Sequence, residues 1–308
     1  MAIILARKKI KMQVIALVFL MAITGTIGYY SFIQGGLNFR FLGYDFNKAA
    51  RLQITEVDNR YGSIDEFINR CDFIYQIRDS NLQNSEGNLV TPALCYSANP
   101  NANYKVALWG DSYAQMLTFG LIKNLPSQWE LLQLSSRGCQ VSIFEVTPSA
   151  HDYCKQSNYF ALKTIAKLSP DVVVISQNST LNQQNIDLIS DKLHSLGVKK
   201  IIYVDKPPKW KSELPKLVFR KAVDIHSLRN SSQLHSDTID QVNREDRLVF
   251  SARDRYINTA KFFCQIDGCL LGVGPQLENS ITTLDGEHLT PAASNYFAKS
   301  ILVDMITQ

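Results

Sequence analysis

Four short apolar runs, each stopped by turn residues and separated from the next by a stretch of helical spacing, set the main limit on how this chain folds. They cover residues 106–109, 129–134, 172–175 and 201–204. A strand with one wet face alternates apolar and polar residues. These runs are largely continuous instead, so both of their faces must be buried. Between them, residues 114–125, 159–168 and 186–196 carry apolar side chains at helical intervals, and Gly197 closes the last at the C′ position. Strands alternating with helices predict a parallel sheet covered on both sides. A fifth strand is expected at 248–252 and a closing helix at 291–306. In open sheets of this kind, ligands bind beyond the carboxyl ends of the strands.

The amino-terminal end obeys a different rule. Residues 12–33 are almost wholly apolar and carry no charge, a length that suits a helix crossing a hydrocarbon core of about 30 Å. Arg7, Lys8, Lys9 and Lys11 precede it. Positive residues stay on the cytoplasmic side, which puts the head inside and the rest of the chain outside. A cleaved signal peptide has a shorter apolar core and a small-x-small cleavage site, whereas Tyr29, Tyr30 and Phe32 follow an uninterrupted span here. A retained anchor is therefore expected. The resulting plan is a basic head at 1–11, a membrane helix at 12–33, a polar stem and lead-in at 34–100 with a helix near 64–77, and an α/β domain at 101–308.

All six cysteines fall in the part assigned to the outside: Cys71, Cys95, Cys139, Cys154, Cys264 and Cys269. An even number in an oxidising compartment reads as disulfides, and sequence neighbours suggest Cys71–Cys95, Cys139–Cys154 and Cys264–Cys269. The rival is a metal site at His151 and Cys154, but no Cys-x-x-Cys spacing supports it. No metal is expected. The net charge of +4 is largely the basic head, and no basic stripe interleaves with aromatics, so nucleic-acid binding is not indicated. Neither a Gly-x-Gly-x-x-Gly nor a Walker motif occurs, so no nucleotide cofactor is expected.

Chemistry is concentrated in two blocks. The first strand ends in Gly110-Asp111-Ser112, where a helix begins at once. A serine there is exposed at the top of the sheet, near the positive end of the helix, where an oxyanion is favoured. The plain alternative is an N-cap. The second block is Asp285-Gly286-Glu287-His288-Leu289-Thr290-Pro291. Asp and His at i and i+3 on a turn can hydrogen-bond, fixing the imidazole tautomer so that Nε2 takes a proton from serine. Thr290 as N-cap with Pro291 at N1 is the structural alternative, and both can hold together. His194 reads as solvated, and His226 and His235 as surface-loop residues. Trp210, in a run with two prolines and three lysines, suggests a lid or a glycan-stacking platform, against the plainer reading of an exposed loop.

These blocks resemble the SGNH (GDSL-like) hydrolase superfamily, most closely the SGNH domain associated with acyltransferase family 3 membrane proteins. The likeness includes the preceding apolar helix, Gly36-Leu37-Asn38-Phe39-Arg40, Leu108-Trp109-Gly110-Asp111-Ser112, Gly138-Cys139 and the Cys264/Cys269 pair. It implies a three-layer α/β/α, flavodoxin-like fold. It also implies Ser112 as nucleophile, His288 as general base, Asp285 as its orienter, and an oxyanion hole from the N–H groups of Ser112 and Gly138. The family's third block, Gly-x-Asn-Asp, reads Ser176-Gln177-Asn178-Ser179 here, which keeps Asn178 as a possible third donor. Tyr113 stands where the linked domains commonly carry histidine, and is assigned with Trp210 to substrate binding. The implied activity is O-acetylation of a cell-envelope glycan, such as lipopolysaccharide O-antigen, on the periplasmic side of a bacterial inner membrane. An acyl donor and a glycan acceptor are its substrates, and a multi-spanning acyltransferase family 3-like protein would supply the acyl group. A glycan O-acetyl esterase is the first alternative, and a non-catalytic glycan-binding or assembly partner the second.

Overall fold

The computed structural model describes residues 2–33, 45–78, 92–97, 101–143, 152–219, 229–243 and 248–308. The chain forms two compact units, Met1–Asp45 and Phe46–Gln308. The first holds helix α1 (Ala2–Ile33). Within it, Met12–Ser31 is long and apolar enough to cross a membrane, and Leu17, Phe19 and Leu20 are exposed along it. The Gly36-to-Arg40 motif lies outside the described residues.

The second unit is built on five parallel strands: β1 (Tyr104–Gly110), β2 (Trp129–Gln133), β3 (Val172–Ser176), β4 (Lys200–Val204) and β5 (Arg255–Ile257). Their order across the sheet is β2-β1-β3-β4-β5. Register pairs Val106 with both Leu131 and Val172, and Val172 in turn with Lys200. The continuous apolar runs now have their reason. Side chains alternate across a strand, so Val106, Leu108, Val172, Val174, Ile202 and Val204 enter one core. Their neighbours Ala107, Trp109, Val173, Ile175, Ile201 and Tyr203 enter the other.

Helices α2 (Ser112–Gln115), α3 (Thr118–Asn124), α4 (Tyr153–Leu168), α5 (Gln183–Ser195), α6 (Ser236–Asn243) and α7 (Pro291–Phe297) follow in chain order. Phe119 and Leu121 of α3 and Phe297 of α7 cover the first face. Ala161 and Ile165 of α4 with Ile186 and Leu193 of α5 cover the second. The fold is therefore three-layer α/β/α. Beyond the sheet, a smaller apolar cluster gathers Phe46, Trp210, Leu214, Leu234 and Cys269.

Four expectations are corrected. The fifth strand is Arg255–Ile257, not 248–252. Gln183 takes the backbone of Val249 instead, accepting from its N–H and donating to its carbonyl, both at 2.8 Å, while Leu248 and Phe250 pack on the second core. The helix expected at 114–125 is two, α2 and α3. Among its described residues, the lead-in is no polar stem either. From Phe46 onward it belongs to the compact unit, and Tyr61, Ile64, Phe67 and Cys71 sit in the first core. Helix 64–77 is two helices, Ile64–Arg70 and Phe73–Arg78.

All six cysteines are paired as sequence neighbours: Cys71–Cys95, Cys139–Cys154 and Cys264–Cys269. The His151 side of the rival metal reading lies outside the described residues.

Candidate active site

In a sheet ordered this way, the strand sequence reverses direction between β1 and β3, and the crevice there is the favoured ligand site. Gly110 and Ser176, the last residues of those two strands, are register partners. Their close approach demands glycine: Gly110 has φ +145°, and a Cβ would stand 1.9 Å from the Ser176 carbonyl oxygen. Asp111 then locks the crevice. Its buried carboxylate accepts from the N–H of Tyr113 at 2.9 Å, capping α2, and from the N–H of Asn178 at 2.8 Å, tying the β3 loop to the β1 loop. Burial raises the Asp111 pKa, against the lowering effect of those N–H donors.

Ser112, half-buried, opens α2. Its Oγ lies 2.9 Å from His288 Nε2, and His288 Nδ1 lies 2.6 Å from Asp285 Oδ2. Asp285 is held by more than the imidazole: its Oδ1 accepts from the N–H groups of Glu287 and His288, both at 2.9 Å, and from the Thr283 hydroxyl at 3.1 Å. Burial alone would raise its pKa, but the bonds from His288 and the backbone outweigh it and hold the carboxyl well below its usual range. An ionised carboxylate only accepts, so Nδ1 carries the imidazole hydrogen and Nε2 presents a lone pair to the serine hydroxyl. Burial lowers the His288 pKa, yet the bond to Asp285 and the charges of Asp285, Glu287 and Asp111 lift it above 6.5 overall. Such a trio can carry acyl transfer through a serine ester.

The turn bearing Asp285 and His288 is braced from below. Gly286 has φ +97°, and a Cβ there would meet the Ser212 carbonyl oxygen at 2.8 Å. The Gly286 carbonyl accepts from Trp210 N–H at 2.8 Å. Leu289 N–H points to Met116 Sδ at 3.3 Å, and Thr290 caps α7 through Ala293 N–H at 3.2 Å. The cap and the Asp–His pair thus coexist, as one turn.

The loops after β1, β2 and β3 bring Ser112, Gly138 and Asn178 to one edge of the sheet. The Gly138 turn is anchored on both sides: Ser136 N–H donates to the Gly110 carbonyl at 3.0 Å, and Cys139 is bonded to Cys154 at the start of α4. Arg137 donates to the buried Asp72 at 2.7 Å. Asn178 is exposed.

A family model described as "SGNH domain (fused to AT3 domains)" matches residues 78–302. The chain belongs to this SGNH family. No curated protein matches it. Among solved structures, it is similar to the periplasmic domain of a lipopolysaccharide acetyltransferase from Salmonella ser. Paratyphi A, with a TM-score of 0.55 and 21% identity, over 81% of this chain and 100% of that one. At that identity the likeness establishes the fold.

Within this SGNH domain, several residues stand elsewhere than the sequence suggested. Tyr113 is buried, 3% exposed, so it offers no open surface to a substrate. Its ring lies 4.8 Å from that of His288, and its hydroxyl donates to Glu287 Oε2 at 3.0 Å. Burial and the nearby Glu287 charge both raise its pKa. Trp210 is also buried, at 4%, and its N–H braces the Asp285–His288 turn, so it forms neither an exposed loop nor an open platform. His194 is not solvated: Nδ1 lies 2.8 Å from the Val198 carbonyl and Nε2 2.9 Å from the buried Asp254. His235 lies near the surface beside Asp237, and His226 is outside the described residues. Among the described residues, no cluster of three or more His, Cys, Asp or Glu suits a metal.

Two side chains beside His288 went unread in the sequence. Glu287 accepts from Tyr113 and pairs with Lys209 Nζ at 3.0 Å. Burial raises its pKa, but Lys209 and Tyr113 outweigh that and keep it low. Glu287 adjoins His288 in the sequence, a signal that was there to be read. Lys209 lies far away in sequence and left no such trace.

Proposed function

We propose that this SGNH protein is a membrane-anchored serine O-acyltransferase that transfers an acyl group, acetyl in the simplest case, to a hydroxyl of a cell-envelope glycan such as lipopolysaccharide O-antigen. The observation that carries the reading is the hydrogen-bonded set Ser112 Oγ, His288 Nε2, His288 Nδ1 and Asp285 Oδ2, with separations of 2.9 and 2.6 Å across the two hydrogen bonds. The family's description as fused to AT3 domains and the fold of the acetyltransferase domain support it.

The chemistry follows in two halves. Ser112 Oγ attacks the acyl carbonyl while its proton passes to His288 Nε2. The resulting oxyanion is met by the N–H groups of Ser112 and Gly138, with the Asn178 amide as a third donor. A well-placed donor of this kind is worth about 3 kcal/mol to the transition state. Collapse gives acyl-Ser112, and the Nε2 proton leaves with the donor's oxygen or sulfur. A glycan hydroxyl then gives its proton to Nε2 and attacks the ester carbonyl. The second collapse returns the proton to Ser112 and releases the acylated sugar.

In this reading the helix containing Met12–Ser31 is a single membrane span, with Arg7, Lys8, Lys9 and Lys11 on the cytoplasmic side and the catalytic domain in the periplasm. A multi-spanning acyltransferase family 3-like partner presents the acyl donor. A second reading, glycan O-acetyl esterase, uses the same trio with water as acceptor. The His288 side chain is 33% exposed, which leaves water a path to the ester.

The test is turnover of nitrophenyl acetate by the full chain in detergent, beside Ser112→Ala and His288→Ala. Loss of at least about a thousandfold in both variants is expected. Undiminished turnover in either variant excludes the serine mechanism. Adding de-O-acetylated polysaccharide separates the two readings, because acetylated glycan forms only in transfer.

A further inference from the structure

Two strands along the same carboxyl edge from Ser112, at about 4.8 Å per strand and so roughly 10 Å away, a cleft of about 480 Å³ opens between the loops after β3 and β4 and helix α6. That volume lies in the range of small-ligand sites. Nothing in the acyl-transfer chemistry occupies it. We infer that this cleft is the acceptor subsite, holding a neutral or amino-sugar unit of the glycan while a neighbouring unit reaches Ser112. The inference rests on the transferase reading for the identity of the glycan, and on the cleft for its place.

The lining has the two parts that a sugar ring requires. Leu181, Leu248 and the Tyr256 ring supply apolar surface for its C–H faces, and Asp205, Asp240 and Gln241 supply polar groups for its hydroxyls. The walls are fixed before any ligand arrives. Tyr256 donates its hydroxyl to Asp205 Oδ2 at 2.7 Å and stacks on Phe250 with centroids 5.3 Å apart. Gln241, 7% exposed, donates to the Lys206 carbonyl at 2.9 Å. Gln183 clamps Val249 through both backbone groups, holding Leu248 in the wall. A preorganised wall loses little entropy on binding.

Charge narrows the ligand. Among the described lining residues, Asp205, Asp237 and Asp240 stand against Lys206, a field that repels phosphate and uronate units. Connectivity narrows the role. The segment that leaves the cleft at Lys206 reaches the catalytic turn within four residues, where Lys209 pairs with Glu287 and Trp210 N–H bonds the Gly286 carbonyl. A sugar seated in the cleft is thereby held in a fixed relation to His288.

The experiment uses the full chain in detergent and, as probe, de-O-acetylated envelope polysaccharide from the organism that makes it, with binding read by saturation-transfer NMR and calorimetry. Asp237→Ala/Asp240→Ala removes two exposed carboxylates, and Thr180→Trp fills the rim; neither touches the core. Both are expected to weaken binding at least tenfold while leaving nitrophenyl acetate turnover within twofold of native. Native-like binding in both variants, or no binding by the native chain, overturns the inference. Binding that depends on the cleft in a protein without Ser112-dependent turnover upholds the subsite and rejects the enzyme reading. Turnover without cleft-dependent binding does the reverse.

Discussion

At the scale of single residues, the site is governed by how His288 is surrounded. Its pKa stands above 6.5 because Asp285, Glu287 and Asp111 favour the charged form more than burial disfavours it. A general base must be neutral, so kcat/KM falls as pH drops through that raised pKa. The acid limb of the profile is therefore expected to have its midpoint above pH 6.5, read from ester hydrolysis across pH. Asp285 contributes most of that rise, and Glu287, itself paired with Lys209, adds a smaller part. Glu287→Gln removes a negative charge beside the imidazole and should move the limb down, while Lys209→Met uncovers that charge and should move it up. Shifts of the same sign in both variants contradict the arrangement. Asp285→Asn should cost more: an amide that donates to Nδ1 favours the wrong tautomer, with a loss of about a thousandfold or more in kcat.

At the scale of elements, the turns matter more than the strands they join. The Gly138 turn is tied to α4 by Cys139–Cys154, across a separation of 15 residues, a loop for which closure entropy gives about 3 kcal/mol. Cys139→Ser/Cys154→Ser is expected to lose about that much in denaturant unfolding. It should also lower ester turnover, because one proposed oxyanion donor sits beside the broken bridge. Loss of Cys264–Cys269, which lies in a different cluster and closes a separation of 5 residues, should spare turnover. Undiminished turnover in Cys139→Ser/Cys154→Ser would show that the Gly138 turn is held by its other bonds, such as that of Arg137 to Asp72, and equal losses in both pairs would show a general loss of stability.

At the scale of the molecule, the segment before the sheet, from Phe46 onward, belongs to the same compact unit as the sheet. β2 is an edge strand, and the N–H of Leu131 donates to the Tyr61 hydroxyl at 2.8 Å. The lead-in thus covers an edge that would otherwise stay open to pairing. Phe67 and Ile64 are fully buried beneath it. Phe67→Ala should therefore cost about 3–5 kcal/mol, read from the shift of the unfolding midpoint, whereas a free stem would tolerate it without change. A chain starting at residue 101 should lose cooperative unfolding for the same reason.

Much of this was legible in the amino-acid order because it depends on local rules. Four strands, the helices between them, the three disulfide pairs and the Asp285–His288 turn all follow from period, turn residues and short spacing. The pairing of Ser112 with His288 was legible through the family resemblance of the two blocks together, since each block alone also reads as a helix cap. What the order left open involves partners far apart in sequence. Tyr113 and Trp210 looked like binding surfaces because aromatic residues near a site serve equally well as ligands or as supports. Burial against Glu287 and Gly286 decided for support. The chain at 248–252 has the composition of a strand, but Gln183 satisfied the backbone of Val249 and left pairing with β4 to Arg255–Ile257. His194 found a buried carboxylate sixty residues away. The sequence by itself determined most of the elements and the two blocks that carry Ser112 and the Asp285–His288 turn. Only the tertiary structure decided which side chains hold them in place, because a hydrogen bond or a core contact is set by distance in space, and that appears only once the sheet is assembled.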